Sequence, residues 1–296
     1  MRKLLIVTAA AALALAVTGT PTAQQPQRAP QETTKVTGTE GVYIFRNGNH
    51  QAMFVVTSEG VIATDPIGYG RPSGGQDYLN AIRKVTDKPI RYVIYSHHHF
   101  DHIAGGAALK AAGATFVAHR NAWRRLNQLN DPHTVLPDES VGDGGRVITL
   151  GDTRIELTYH GLNHSDSTLV MRLPREKLIF VVDTLPVGTF PGRGMIDFHP
   201  LETEDFMKQV LAMEWERLIP GHPGPNDRLG TKKDVADQLK LLQTASSEMK
   251  KLAQEGKCWD TAERDFKLPD YEKWPGYANG LQFVARRYCG LWGRGT

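Results

Sequence analysis

The chain has 296 residues, 40% hydrophobic and 23% charged, with a formal charge of +3. Those proportions exclude an intrinsically disordered chain and a fibrous repeat. The small charge, with no run of Lys and Arg interleaved with aromatics, argues against a nucleic-acid partner, and two cysteines cannot make a disulfide framework or a Cys-rich zinc module.

The first segment reads as a leader rather than as part of a fold. Arg2 and Lys3 precede an apolar run from Leu4 to Val17, then small residues and turn formers through Ala23. That is the pattern of a secretory signal peptide over residues 1–23. The apolar run is 14 residues long, short of the roughly 20 needed for a relaxed membrane span. The mature protein is therefore expected to be periplasmic or secreted, without a membrane span. Losing Arg2 and Lys3 leaves 33 basic residues against 32 acidic ones, a charge of +1. Residues 24–38, rich in Gln, Pro and Thr, read as a flexible tether. Export also places Cys258 and Cys289 in an oxidising compartment, where they are expected to pair.

From residue 39 to 255 short β-rich runs alternate with helical stretches. Val42–Phe45, Ala52–Thr57 and Val61–Thr64 read as hairpin-linked strands, separated by Asn47-Gly48 and Glu59-Gly60. Tyr78, Leu79, Ile82 and Val85 fall at helical spacing over Gln76–Val85. Arg91–Ser96 reads as a strand, Ile103–Ala112 as a helix, Thr115–Ala118 as a strand and Asn121–Leu129 as a helix. The second half repeats the theme. Val147–Leu150, Arg154–Tyr159, Thr168–Leu173 and Leu178–Val182 read as strands, Glu202–Trp215 as a helix, Arg217–Ile219 as a strand and Thr231–Gln254 as a long amphipathic helix. Two halves of mixed sheet with interspersed helices predict sheets packed face to face with helices outside. Residues 256–296, rich in Trp and Tyr, read as a C-terminal helical extension, because some 40 residues rarely sustain a core alone.

The chemically informative stretch is Ser96-His97-His98-His99-Phe100-Asp101-His102, just after a predicted strand. Alternate residues of an extended segment share a side, so His97 and His99 face one point and His98 faces away, toward a structural hydrogen bond. A turn into the following helix can aim Asp101 and His102 at a neighbouring point. Imidazoles and a carboxylate in this density suit a borderline cation such as Zn²⁺. His164, Asp183 and His222 each follow a predicted strand, and a carboxylate ending an apolar strand is costly unless it is partnered. Of the remaining histidines, His119 reads as a cap or packing residue, and His160 and His199 are candidates for the wall of a substrate pocket. Arg193, in the glycine-rich segment after Asp183, is a candidate anion anchor.

With these residues in place, the sequence resembles the metallo-β-lactamase superfamily. The resemblance runs from about Val42 to His222 and carries the pattern His-x-His-x-Asp-His, then His, Asp and His, with Asp65 ahead of them. It implies an αββα sandwich (α/β class, two mixed sheets between outer helices) and a dinuclear metal site at the sheet edge. By that resemblance His97, His99 and His164 hold the first metal, Asp101, His102 and His222 the second, and Asp183 bridges both. Asp65 would support the histidine loop through hydrogen bonds. Two Zn²⁺ ions per chain would lower the pKa of a shared water toward 7. The resulting hydroxide would attack a carbonyl, with Asp101 orienting the nucleophile and passing a proton to the leaving group. The same ligand set also accepts Fe or Mn.

The superfamily includes β-lactamases, lactonases, thioesterases, sulfatases and nucleases. Secretion argues against cytoplasmic thioesterase and RNA substrates. In the largest β-lactamase subclass a cysteine stands at the position of Asp183, with a lysine soon after. Here Thr184, Leu185 and Pro186 follow, and no cation appears before Arg193. The expected function is an exported dinuclear zinc hydrolase acting on a lactone, ester or β-lactam of a small molecule. The alternative from another class is a metal-binding accessory protein of a periplasmic quinoprotein-type redox system, with little turnover.

Overall fold

The computed structural model describes residues 31–296, so the leader expected over residues 1–23 lies outside the described residues. Twelve strands among the described residues form two sheets. The first runs in chain order: β1 (Glu32–Lys35), β2 (Val42–Asn47), β3 (His50–Val56), β4 (Val61–Thr64), β5 (Ile90–Ile94), β6 (Thr115–His119) and β7 (Glu139–Val141). β1 to β4 pair antiparallel, and β4 to β7 pair parallel. The second sheet has the order β12 (Arg217–Pro220), β11 (Leu178–Val181), β10 (Leu169–Leu173), β9 (Thr153–Tyr159), β8 (Arg146–Leu150). Only β11 and β12 pair parallel in it.

Side chains of the central strands β3, β4, β10 and β11 alternate between two apolar faces, which is why those strands read as near-continuous hydrophobic runs. On β3, Met53 and Val55 point into the layer between the sheets, where they meet Ile62, Ile94, Leu157, Met171 and Phe180. Phe54 points the other way, with Phe45 and Tyr78, under α1 (Gly74–Val85), α3 (Ala107–Ala111) and α4 (Arg120–Leu129). Ile179 and Val181 on β11 face outward to α5 (Pro200–Ala212), α6 (Lys232–Gln254) and α8 (Tyr277–Arg294). The layers are thus helix, sheet, sheet, helix, as the sequence predicts. The C-terminal region packs Phe266, Leu268, Val284 and Tyr288 into the same apolar cluster as α5 and α6, so it extends an existing core.

Four expectations are corrected. The tether expected over residues 24–38 is partly a strand: β1 pairs with β2 from Glu32 opposite Arg46 to Lys35 opposite Tyr43. Every β1 side chain is exposed, so no alternation betrayed it. The single helix expected over Ile103–Ala112 is two, α2 (Phe100–Ile103) and α3, broken at Gly105 with φ +90°. Gly105 lies against two neighbouring backbones: a Cβ on it would stand 2.8 Å from Gly68 Cα, and one on Gly75 would stand 1.7 Å from Gly105 O. Close approach, not helix propensity, decides the chain path there. The three-residue β7 was not foreseen. The expected Cys258–Cys289 disulfide is absent, and both are free thiols. Cys289 Sγ accepts from the Trp259 N–H, and burial together with the Cys258 thiol beside it pushes Cys289 up to about 12.

Candidate metal centre

The site gathers where strands of both sheets end. Asp65 follows β4, the histidine segment follows β5, His164 lies between β9 and β10, Asp183 follows β11 and His222 follows β12. Strand ends are where a core of apolar strands can present polar side chains without burying unpaired backbone. Asp65 is fully buried, and its Oδ1 accepts the Ser96 N–H at 2.8 Å, directly before His97. Burial raises its carboxyl to about 6 despite the opposing charge of His102.

The seven residues expected as ligands come together in two groups. His97, His99, His164 and Asp183 offer ligand atoms within 4.8 Å of one another. So do Asp101, His102 and His222, joined by His50, which sequence reading left without a role. Asp183 stands between the groups. Its Oδ1 is 3.0 Å from both His102 Nε2 and His222 Nε2. Its Oδ2 is 3.2 Å from His164 Nε2 and 3.4 Å from His97 Nε2. Asp183 also adopts φ +62°, a left-handed conformation that costs a non-glycine residue about 1–3 kcal/mol. The turn is closed by Thr184 N–H to Val182 O at 2.7 Å and by Thr184 Oγ1 to Asn163 Oδ1 at 3.1 Å.

These residues fit a metal by a test internal to the chain. His97 Nε2, His102 Nε2, His164 Nε2 and Asp183 Oδ1 are buried, yet none has an aligned hydrogen-bond partner. Several such groups converging on common points would cost a few kcal/mol each unless something binds their lone pairs. The outer nitrogens are consistent with that. His222 Nδ1 faces the Asn49 carbonyl, which only accepts, so its proton sits on Nδ1 and the Nε2 lone pair faces the site. His97 Nδ1 lies 2.9 Å from Ser96 Oγ. This is the outer-partner pattern that fixes metal-binding imidazoles.

Electrostatics follow from burial and the two carboxylates. Burial holds His97 well below the ordinary imidazole value, against the pull of Asp183, and burial with the His164 charge lowers His99. On His102 burial is outweighed by Asp183 and Asp101, which raise it to about 9. Burial would raise Asp183, but His102 and His222 hold it well below the carboxylate range. Asp101 is likewise held low against burial, by the His50 hydrogen bond and the His102 charge.

The candidates outside the ligand set separate. His98 turns away to Ser165 Oγ at 2.9 Å and Ser167 Oγ at 3.0 Å, and burial lowers it to about 3. His119 caps α4 by accepting from the Asn121 N–H and stacks on Tyr159. Arg193 lines a cavity of about 570 Å³ over the two groups, with Phe190, Met195, Phe198 and Asn49. His160 and His199 do not line that cavity. His160 is taken up by Thr158 Oγ1 at 3.0 Å and Gln209 Oε1 at 3.2 Å, and His199 is exposed at the start of α5.

Comparison with known proteins agrees with this geometry. The sequence profile of the metallo-beta-lactamase superfamily matches residues 48–225. The alpha subunit of 2,4-dinitroanisole O-demethylase from Nocardioides sp. is 24% identical over 184 residues, 61% of this chain and 55% of that protein. A hydroxyacylglutathione hydrolase from Rhizobium meliloti is 29% identical over 97 residues, 32% of this chain and 34% of that one. A type 2 metallo-beta-lactamase from Bacillus sp. is 27% identical over 125 residues, 42% of this chain and 46% of that one. The matches thus span between a third and about half of these relatives. Among solved structures, a metallo-beta-lactamase from Pontibacter korlensis superposes with a TM-score of 0.63 at 20% identity, covering 72% of this chain and 99% of that one. The sec-alkylsulfatase Pisa1 from Pseudomonas sp. superposes with a TM-score of 0.69 at 15% identity, covering 88% of this chain and 50% of that one. With a profile matched across most of the two sheets, and His and Asp clusters assembled at their joint edge, the chain belongs to the metallo-β-lactamase superfamily.

Proposed function

We propose that this protein is a dinuclear zinc hydrolase that cleaves a carbonyl-type bond, in a lactone, ester or β-lactam, of a small molecule. The observation that carries this reading is Asp183, one carboxylate whose two oxygens face two separate histidine groups at 3.0–3.4 Å. His97, His99 and His164 would hold one ion and Asp101, His102 and His222 the other, with Asp183 between them. The nitrogen-rich donor set favours Zn²⁺ over hard cations. When bound, such a pair polarises a substrate oxygen and lowers the pKa of water toward neutrality.

The chain's own residues do the remaining work. Asp101 stays ionised at neutral pH, is partly exposed, and lines the cavity, so its carboxylate can orient water and accept a proton. Phe190, Met195 and Phe198 offer an apolar wall for the acyl or aryl part. Arg193 stands at the cavity as the cation for an anionic substituent. No Lys or Arg lies between Asp183 and Arg193, which supports lactones and esters ahead of β-lactams.

The test is a panel of lactones, aryl esters, aryl sulfates and a chromogenic cephalosporin, offered to zinc-loaded and metal-stripped protein. The 2,4-dinitroanisole relative adds an aryl methyl ether to that panel. Metal-dependent turnover of a lactone or ester is expected. Uniform inactivity of the loaded protein would overturn the reading.

A further inference from the structure

His50 carries no motif, yet its ring lies inside the second group. Its centroid is 4.6 Å from that of His222 and 4.9 Å from that of His102, and its Nε2 is 3.3 Å from Asp101 Oδ2. Proximity alone would make it one more nitrogen ligand. The opposite side of the ring argues otherwise. His50 Nδ1 lies 2.8 Å from Arg71 Nη2, and a guanidinium only donates. Nδ1 must therefore present its lone pair to Arg71, which leaves the ring proton on Nε2, facing Asp101.

We propose that His50 is a positioning residue of the second cluster: Arg71 holds its ring as the Nε2–H tautomer, and that N–H fixes the Asp101 carboxylate by Oδ2 instead of supplying a ligand nitrogen. The local chain is built for this contact. Gly48 turns β2 into β3 with φ +67°, and a Cβ on it would stand 3.3 Å from Arg71 Nη2, so the bare backbone leaves the guanidinium its place. Arg71 is anchored in turn by donating from Nη1 to Ile67 O at 3.1 Å. The same hairpin serves the other members of the cluster. Asn49 O accepts from His222 Nδ1, and Gln51 donates through its backbone N–H to Gly221 O at 2.7 Å and through Nε2 to Pro220 O at 3.0 Å. Three consecutive residues of one hairpin, Asn49 to Gln51, thus set the orientation of Asp101 and His222. Partners of this outer kind are worth about 10–100-fold in metal affinity when removed.

The inference rests on the proposed two-ion reading, and its test reads metal binding without any substrate. Metal-stripped protein is titrated with Co²⁺, following stoichiometry, affinity and ligand-field absorption. The parent should take two ions. His50→Ala should weaken the second by about 10–100-fold while the first binds as before. His50→Gln keeps an N–H at similar reach, and should recover most of that affinity with the absorption of the parent. Arg71→Met frees the other tautomer, lets Nε2 become a ligand, and should change the absorption of the second ion. If His50→Gln loses the second ion as fully as His50→Ala, the ring is a ligand and the relay is wrong. If His50→Ala binds both ions like the parent, or loses the first ion as well, the positioning role also fails. A parent that takes fewer than two ions overturns the two-ion reading and this inference together, whereas two ions in the parent with indifferent His50 variants overturns only this one.

Discussion

Asp101 is the residue on which the proposed chemistry turns, because it belongs to the second group, lines the cavity and is more exposed there than Asp183. Asp101→Asn keeps the shape and an oxygen for the His50 N–H, but removes the charge and the basicity. Turnover of the best panel substrate should fall about 10²–10⁴-fold, roughly 3–5 kcal/mol in the barrier. The ion held by His97, His99 and His164 should stay bound, so metal analysis of the variant separates loss of catalysis from loss of the site. Unchanged turnover would remove Asp101 from the mechanism. His102 gives a pH-dependent counterpart. Asp183 and Asp101 overcome the cost of burial and raise it to about 9 in the metal-free site, so it is protonated at pH 7. Ligation needs the neutral ring, so uptake of the second ion at pH 7 should release about one proton from this group. Affinity should therefore rise with pH until about 9. Calorimetry in two buffers of different ionisation heat measures that proton, and its absence would mean that His102 is not a ligand.

Among the elements, α8 and the segment before it act on the site without contributing a ligand. Phe190 N–H donates to Pro275 O at 2.8 Å, Phe190 meets the Tyr277 ring at 5.0 Å, and Arg287 Nε donates to Phe198 O. The cavity wall over residues 190–198 is therefore braced by the C-terminal helix. Gly280 is the tightest point of that contact, since a Cβ there would stand 2.2 Å from Pro191 O and 2.8 Å from Phe190 Cδ1. Gly280→Ala should cost about 1–3 kcal/mol by overpacking. It should also move the wall, raising KM more than it lowers kcat while both ions remain bound. Thermal unfolding and steady-state kinetics check the two halves, and a stable variant with parental KM would uncouple α8 from the cavity.

For the molecule as a whole, the two-sheet architecture explains how strands with apolar faces carry a polar centre. The strands spend their side chains on three apolar layers, and the site residues come from the carboxyl ends of the parallel-paired strands β4, β5, β11 and β12 and from the β9–β10 connection that carries His164. None of the described helices is long and apolar enough to cross a membrane. Export, which we propose from the basic start and the Leu4–Val17 run, predicts that the protein outside the inner membrane begins between residues 20 and 26. N-terminal mass spectrometry of that fraction decides it, and an intact Met1 there would overturn the cleaved leader.

Local rules were enough for most of the strands and helices and for the ligand segment. Short apolar or β-branched runs mark β2, β3, β4, β10 and β11, and apolar–polar alternation marks β9. Ligand types spaced after strands mark His97 to His102, His164, Asp183 and His222, because those signals need only neighbours in the chain. Contacts between distant segments were not legible. β1 exists because Glu32–Lys35 finds a paired edge on β2, not because its side chains prefer a strand. The break between α2 and α3 comes from Gly105 pressing on Gly68 and Gly75. His160, three residues from Asn163 in sequence, is drawn off by Gln209 on α5, whereas His50, 51 residues from Asp101, lies against it. Which residue types could bind a metal was legible along the chain alone. That Arg71 reaches His50 and sets the tautomer emerges from the folded chain, because a ring nitrogen's proton is assigned by the partner across from it, and that partner comes from a different loop.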